Sequence, residues 1–147
     1  MKLSDTAPQC EGILHLSVYQ SGKLRENIVE HNMIMDAGRG RMAELLSGEQ
    51  TGKHIGYLGV GTGAVAPMVT DKDLTNRQLI PITSVEFPTA RTARFHFVIA
   101  TTDANGMAIH EFGLFCVDNL MFSRRVRDKI IDKAADIEIT GYWDIRF

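Results

Sequence analysis

The run IEITGYWDIRF, residues 137–147, alternates between apolar and polar side chains more regularly than any other part of the sequence. Successive side chains of a β-strand point to opposite faces, so this pattern is typical of a strand with one face in the core. A surface helix would instead need apolar residues three and four positions apart. The sequence therefore predicts a β-rich fold. Its core should include the apolar members of the run, which are Ile137, Ile139, Trp143, Ile145 and Phe147.

Further extended runs are separated by turn-forming residues. GILHLSVY (12–19) and LRENIVEHNMI (24–34) flank the turn QSGK and predict a hairpin. KHIGYLGVGTG (53–63) predicts a strand that ends in glycines, and the residues after it predict a long loop. The remaining extended runs are RQLIPITSVEFP, ARTARFHFVIATT, MAIHEFGLFCV and LMFSRRV, with a hairpin-type turn at DANG and another turn at DN.

One stretch, MDAGRGRMAELLSG (35–48), predicts a short helix. Asp36 is placed to cap its start, and Gly48 is placed to end it. Met42, Leu45 and Leu46 are spaced to form an apolar stripe that would pack against a sheet. The fold class predicted from these patterns is mainly β, or α+β at most. We expect an antiparallel β-sandwich-like domain with one short helix, and 147 residues are best accounted for by a single domain.

Charge and composition exclude several classes of function. A net charge of -2 predicts no general attraction to nucleic acid or to an anionic membrane, and no apolar run is long enough for membrane insertion. The N-terminus lacks the apolar segment of a secretory signal, so the chain is expected to be made in cytoplasm. Cys10 and Cys116 are therefore expected to be reduced thiols, with one long-range disulfide as the alternative.

The stretch NGMAIHEFGLFCVDNLMFSRR (105–125) holds several reactive residue types, but its pattern favours packing. In a strand, His110 and Glu111 point to opposite faces, so their adjacency does not make a proton-transfer pair. Cys116 is in phase with apolar residues, where a thiol behaves as a small hydrophobic group. Glu111 has apolar neighbours on both sides, and an unpaired buried carboxylate would be costly. We therefore expect Glu111 to be buried and paired with Arg94 or Arg124.

Motifs for cofactors and metals are weak. GVGTGA (59–64) matches a nucleotide-binding glycine pattern, but Pro67 follows closely and no helix is predicted after it. The five histidines are scattered singly, without the spacing of a metal site. The sequence accordingly predicts no catalytic, cofactor-binding or metal-binding residues and no enzymatic activity.

Two segments together resemble a known family. IGYLGVGTG followed by LTNRQL, and then ANGMAIHEFGLFCVDNLMFSRRV, are similar to the N-terminal attachment domain of bacteriophage tail-fibre (tail-collar) proteins. The matching pieces are Ile55–Gly63, Leu74, Ile109–Phe115, Asp118–Leu120 and Ser123–Arg125. The resemblance covers residues 32–147, which leaves residues 1–31 as a possible N-terminal hairpin extension.

This resemblance implies a structural virion protein of a phage tail, made in the host cytoplasm, without a cofactor. Its expected partners are copies of itself and other tail or baseplate proteins. A fibre protein would continue beyond Phe147 into a shaft, so a small baseplate or adaptor subunit on the same module fits the length better. Glu111, Ser123, Arg124 and Arg125 are candidates for interface or structural pairing. The alternatives are a carbohydrate-binding β-sandwich module and, less favoured, a small hydrolase using a histidine and a carboxylate.

Overall fold

The computed structural model describes residues 10–147, and within this range it contains nine β-strands and one α-helix. The elements in chain order are β1 (Glu11–Gln20), β2 (Lys23–Ile34), α1 (Asp36–Leu46), β3 (Ile55–Gly61), β4 (Gln78–Pro81), β5 (Ser84–Thr89), β6 (Thr92–Ile99), β7 (Ala108–Cys116), β8 (Met121–Asp132) and β9 (Ile137–Arg146). The predicted mainly β fold with one short helix is confirmed.

The strands form one curled antiparallel sheet in the order β4-β3-β7-β8-β2-β1-β9-β6-β5. For description we divide it into a β7 half (β4, β3, β7 and β8) and a β1 half (β2, β1, β9, β6 and β5). Side chains from both halves belong to the same buried cluster, among them Leu14 and Trp143 from one half and Leu58 and Phe112 from the other. The curl therefore folds the sheet over a shared core, as two layers of a sandwich would.

Hydrogen bonds join the two halves at two places. β2 pairs with β1 over most of its length, but Met33 and Ile34 at its end pair with β8. On the other side, β4 and β5 are separated by only two residues. Here Ile82 N–H donates to the carbonyl of Gly56 in β3, and Thr83 N–H donates to the carbonyl of His96 in β6. These hydrogen bonds connect the two halves at the end of the curl.

The hairpin predicted for residues 12–34 is present as β1 and β2. β1 also pairs with β9 along its whole length, from Glu11 to Gln20. The first hairpin is thus an internal part of the sheet rather than an appendage. A division after residue 31 would fall inside β2.

The alternation of the 137–145 run is confirmed, because its apolar members Ile137, Ile139, Trp143 and Ile145 are buried. The prediction for Phe147 was wrong, since 51% of this residue is exposed. β9 ends at Arg146, and beyond it Phe147 N–H donates to the carbonyl of Arg91. At this position the sheet no longer covers both sides of the side chain.

The helix forms where the sequence predicted it, but it packs through different residues. Met35 is its N-cap residue and makes no side-chain capping bond, so the prediction that Asp36 caps the helix was wrong. Of the predicted apolar stripe, Met42 is partly buried against the core, but the prediction was wrong for Leu45 and Leu46, which are exposed, and the fully buried helix residues are Gly38 and Arg41. A Cβ added to Gly38 would lie 2.5 Å from the carbonyl oxygen of Phe122, which shows how closely the helix lies on β8. The prediction that Gly48 ends the helix is confirmed by its φ of +83°.

The turn predicted at DANG does not form a hairpin. β6 pairs with β5 and β9, whereas β7 pairs with β3 and β8, so the chain between them passes from one half to the other. The buried Lys133 helps to fix this connection, because its ammonium group donates to Oδ1 of Asn105 at 2.9 Å. The turn at DN does join neighbouring strands, β7 and β8, as predicted. Within residues 10–147, no helix is long and apolar enough to cross a membrane.

Candidate functional site

The reactive residue types of β7 do not converge in the structure. Glu111 contacts the loop that follows β3, and Cys116 lies at the opposite end of β7 beside Arg41. Both cysteines are free, and Cys116 is fully buried. Burial raises the pKa of the Cys116 thiol to about 11, although the nearby Arg41 acts in the opposite direction. Since the thiolate is the nucleophilic form, this environment disfavours reaction at Cys116.

Glu111 is the centre of a buried ionic cluster. It is paired with Arg124, one of the two arginines named from the sequence, while Arg94 pairs with Asp144. The carboxylate oxygen Oε1 accepts hydrogen bonds from the backbone N–H of Gly63 at 3.0 Å and of Thr75 at 2.7 Å. The other oxygen accepts from the Arg124 guanidinium at 2.8–2.9 Å. These donors replace the hydrogen bonds to water that the carboxylate loses when it is buried.

Arg124 extends this cluster to two more points on the same loop. Its Nη1 donates to Oδ2 of Asp71 at 2.7 Å, and its Nη2 donates to the carbonyl of Val65 at 2.9 Å. Together, Glu111 and Arg124 fix residues Gly63, Val65, Asp71 and Thr75. We call residues 62–77, which contain no regular secondary structure, the pinned loop. The sequence predicted a long loop here, but it gave no signal for the long-range bonds that immobilise it.

The pinned loop exposes apolar side chains at its tip. Val65 is 76% exposed and Met68 is 61% exposed, and Val69 is also exposed. Residues 62–70 contain no charged side chain. An apolar, uncharged segment in water is unfavourable unless it serves as a contact surface, and here its conformation is fixed before any partner arrives.

The other residues named as pairing candidates also bond within their own chain or are buried. Ser123 is fully buried, and among the described residues its hydroxyl has no hydrogen-bond partner. Arg125 donates to Glu30 at 2.6 Å from a partly exposed position. With Arg124 committed to Glu111 and Asp71, the described contacts of these residues stabilise the subunit itself.

A second apolar surface lies between the helix and the end of the sheet. It is a groove with a volume of about 430 Å³, lined mainly by apolar side chains. Its floor contains inward-facing residues of β6 and β9, and its walls are helix α1 and strand β5. Its larger apolar lining residues include Met42, Leu45, Val85, Phe87, Phe95 and Phe147. We call this surface the apolar groove.

The rim of the apolar groove is exposed to solvent. The buried cation on its wall, Arg41, is paired with a carboxylate. Phe87 is 74% exposed, and half of Phe147 is exposed as well. Arg41 lies on the groove wall, but both of its Nη atoms donate to the Asp118 carboxylate at 2.8 Å. The bond to Arg41 lowers the pKa of the Asp118 carboxyl, which favours the charged form of this pair. Sequence analysis missed this groove, although Val85 and Phe87 alternate in phase and so had to share one face of β5.

The outer face of the β1 half carries a polar cleft of about 420 Å³. At its centre, the Tyr142 ring stacks on His15 with ring centroids 4.3 Å apart, and the Arg94 guanidinium lies 4.0 Å from the ring centroid. His15 and Arg94 come from strands on opposite sides of β9, so both faces of the ring are covered. Trp143 is buried in the core. Neither side chain offers the free aromatic face on which a sugar would stack.

The polar cleft also contains a histidine–carboxylate pair. His96 Nε2 lies 2.8 Å from Oε1 of Glu86. The same carboxylate lies 3.6 Å from Arg94, which is bonded mainly to Asp144. Burial lowers the pKa of the neighbouring His15 and so favours its neutral form. In residues 10–147, no group of three or more histidine, cysteine or acidic side chains is placed to hold a metal ion.

Comparison of the chain with protein-family models, with curated proteins and with solved structures finds no match.

Proposed function

We propose that this chain is a structural subunit of a bacteriophage tail that assembles with copies of itself and with neighbouring tail or baseplate proteins. The observation that carries this proposal is the presence of two exposed apolar surfaces, the tip of the pinned loop and the apolar groove. Their exposed apolar side chains include Val65 and Met68 on the loop and Phe87 on the groove rim. Contiguous apolar surface of this kind is typical of proteins that work inside an assembly.

The resemblance to tail-fibre attachment domains supplies the class of assembly. Its principal segments lie in β3, β7 and β8, which are neighbours in the sheet. Two of these strands, β7 and β8, carry the ionic cluster of Glu111 and Arg124 that fixes the loop following β3. The part of the chain that resembles the family is thus the part that presents one of the two apolar surfaces. This supports a role as a fibre-attachment, baseplate or adaptor subunit of the virion.

The work of such a subunit is mechanical rather than chemical. It would hold its neighbours by burying apolar surface and would orient them through the polar rims around each contact. The carbohydrate-binding module and the small hydrolase stay alternative predictions. The covered ring of Tyr142 and the buried Trp143 favour the structural role over the carbohydrate-binding module.

The proposal is tested by following the chain in cells that encode it. Tail particles are purified on a density gradient, and each fraction is probed with an antibody against this chain. We expect the chain to sediment with the tail particles and the antibody to label one end of the tail in electron micrographs. Deletion of the gene should give tails that are incomplete at that end. A chain that stays at the top of the gradient, together with normal tails after deletion, would overturn the proposal.

A further inference from the structure

The segment between β6 and β7 contains an asparagine that is set apart from the others in the sequence. Of the five asparagines, only Asn105 is followed by a glycine. The backbone nitrogen of the residue after an asparagine can attack the side-chain amide carbon, because the two groups are joined in one short stretch of chain. Glycine at that position has no Cβ to hinder the approach. Asn105 is also exposed, so water reaches it. These features favour deamidation at Asn105.

The Asn105 side chain lies against a buried lysine. Lys133 is only 2% exposed, and its ammonium group donates to Oδ1 of Asn105 at 2.9 Å and to the carbonyl of Ala134 at 3.1 Å. Both of these acceptors are neutral. Burial lowers the pKa of Lys133, although the charges of Asp103 and Asp136 act in the opposite direction. A buried ammonium group whose contacts are neutral would gain from a carboxylate in place of one of them.

The contact with Lys133 also stabilises the charge that deamidation creates. As the Gly106 nitrogen adds to the side-chain carbon of Asn105, negative charge develops on Oδ1. The Lys133 ammonium group already donates to this oxygen. One hydrogen bond opposes the reaction, because Gly106 N–H donates to the Lys133 carbonyl at 2.8 Å and must leave it before the nitrogen attacks. The reaction is therefore slow in the folded chain, and it requires local opening of an exposed turn rather than unfolding of the sheet.

We propose that Asn105 is a site of spontaneous deamidation, and that the carboxylate formed there becomes the ionic partner of Lys133. In the first step, the Gly106 nitrogen forms a bond to the side-chain carbon of Asn105 and the bond to Nδ2 breaks. Nδ2 leaves as ammonia with the proton that the Gly106 nitrogen loses. In the second step, one water molecule opens the five-membered ring and returns a proton to that nitrogen. The amide is thus exchanged for a carboxylate, with one water consumed and one ammonia released.

Ring opening gives two products, and one of them suits the existing structure. Aspartate keeps the backbone and places a carboxylate oxygen where Oδ1 of Asn105 now meets Lys133. It loses the bond from Nδ2 to the Thr101 carbonyl, but that bond joins neutral groups at an exposed position. Isoaspartate instead lengthens the backbone by one carbon and displaces Gly106 from the Lys133 carbonyl. The aspartate product therefore links the segment before β7 to the segment after β8 through an ion pair. This irreversible change does not depend on the proposed function.

Mass spectrometry of the full chain tests the modification. Purified protein is incubated without denaturant at mildly alkaline pH and digested at intervals. We expect the peptide with Asn105 to gain about 1 Da, as exchange of an amide for a carboxylate requires. Asn76 and Asn119 are exposed asparagines in the same molecule that precede other residue types, so their peptides should stay unchanged. Hydroxylamine, which cleaves the ring intermediate, should cut the chain after Asn105 but leave Asn105→Gln intact. An unchanged mass at Asn105, or an equal gain at Asn119, would overturn the modification site.

Thermal melts at neutral pH test the pairing with Lys133. Asn105→Asp carries the aspartate product from the start, and we expect its melting temperature to exceed that of wild type by roughly 2–4 °C. In a Lys133→Met background, the same substitution should give no increase, because the ammonium group is absent. Asn119→Asp is the matched control, since it places the same charge in another exposed turn. An Asn105→Asp variant no more stable than wild type would overturn the pairing, as would an increase that persists with Lys133→Met or that Asn119→Asp reproduces.

Discussion

Two arginine clusters on the same strand differ in how they are built. Arg124 is almost fully buried, and its pairing partner Glu111 is equally buried and receives two further backbone N–H donors. Arg125, the next residue, pairs with Glu30 at the partly open gap between β8 and β2. In the same gap, Arg127 is buried beside Glu30, and among the described residues its Nη1 atom has no hydrogen-bond partner. Adjacent residues of one type thus contribute very differently to the fold.

The difference shows what determines how much an ion pair contributes to the stability of the fold. Removing one member of a buried, fully bonded pair leaves the other charged and unsolvated, which is expensive. Removing one member of an exposed pair leaves a group that water solvates again. The cluster of Glu111 and Arg124 also fixes a long loop, so its loss releases backbone that the rest of the sheet does not hold. The Glu30 cluster joins two strands that β1 and β7 already hold.

The largest effect is expected from Arg124→Met. This change leaves the Glu111 carboxylate buried without its cation, and we expect a loss of roughly 3–5 kcal/mol in the free energy of unfolding. Urea denaturation followed by fluorescence of the single tryptophan would measure it. Hydrogen exchange should accelerate at the amides of Gly63 and Thr75, which lose their fixed acceptor. The double variant Glu111→Gln/Arg124→Met should recover part of the stability, and a double variant worse than the sum of both singles would refute this account.

A smaller effect is expected from Gly63→Ala, which disturbs the same cluster without removing a charge. An added Cβ would lie 2.7 Å from Oε1 of Glu111 and 2.9 Å from its carboxyl carbon, so the carboxylate must move. We expect a loss of roughly 1–3 kcal/mol in stability, as overpacking usually costs. Gly40→Ala is the matched control, since no atom lies within 4 Å of its added Cβ and it lies inside α1. That change should stabilise the protein by roughly 0.5–1 kcal/mol. Equal effects of both substitutions would contradict the importance of the cluster.

Arg125→Met should have a small effect, because its pair with Glu30 is partly exposed to solvent. We expect at most about 1 kcal/mol, and less at high salt. The measurement is the urea midpoint at low and high ionic strength, compared with Arg124→Met under the same conditions. A loss at Arg125 as large as that at Arg124 would remove the distinction between the two clusters.

The smallest effect is expected from Asp118→Asn, because its amide oxygen can still accept a hydrogen bond from the buried Arg41 guanidinium. The hydrogen bond from Arg41 lowers the pKa of Asp118 below its ordinary value of 3.8. A carboxyl whose pKa is lower in the folded state stabilises the protein above its unfolded pKa. That stability is lost as the pH falls through the folded value. Thermal melts of wild type and Asp118→Asn from pH 6 down to pH 2 should therefore converge at the acid end. A constant difference across this range would show that Asp118 does not titrate in this way.

Whether a feature could be predicted from the sequence depends on how far apart along the chain the interacting residues lie. The first hairpin, β9 and the burial of Trp143 were predictable, because alternation and turn residues act over a few positions. The burial and pairing of Glu111 followed from its apolar neighbours and from the cost of an isolated charge. The hydrogen bonds from the backbone N–H groups of Gly63 and Thr75 to Glu111 were not predictable. They join residues distant in sequence through backbone groups that nearly every residue carries.

The errors have equally specific causes. The helix was expected to pack through Met42, Leu45 and Leu46, but only Met42 contacts the core. Its closest approach to β8 is at Gly38, because only glycine permits so short a distance. The DANG segment has hairpin residues, yet it crosses between the two halves because β6 and β7 already have other partners. Phe147 continues the alternation of β9 beyond the point where the sheet ends. In each case, the local pattern was overridden by where the neighbouring element lies.

The position of β1 has a consequence for how the chain acquires its structure. Its residues from Glu11 to Gln20 pair with β9, so this segment leaves the ribosome long before the strand that it pairs with. Pairings between such distant segments slow folding, because the intervening chain must be brought together first. Until β9 has been synthesised, the edge of β1 that pairs with it stays exposed. Newly made molecules should therefore be sensitive to aggregation during synthesis, and slower translation or chaperones should raise the soluble yield.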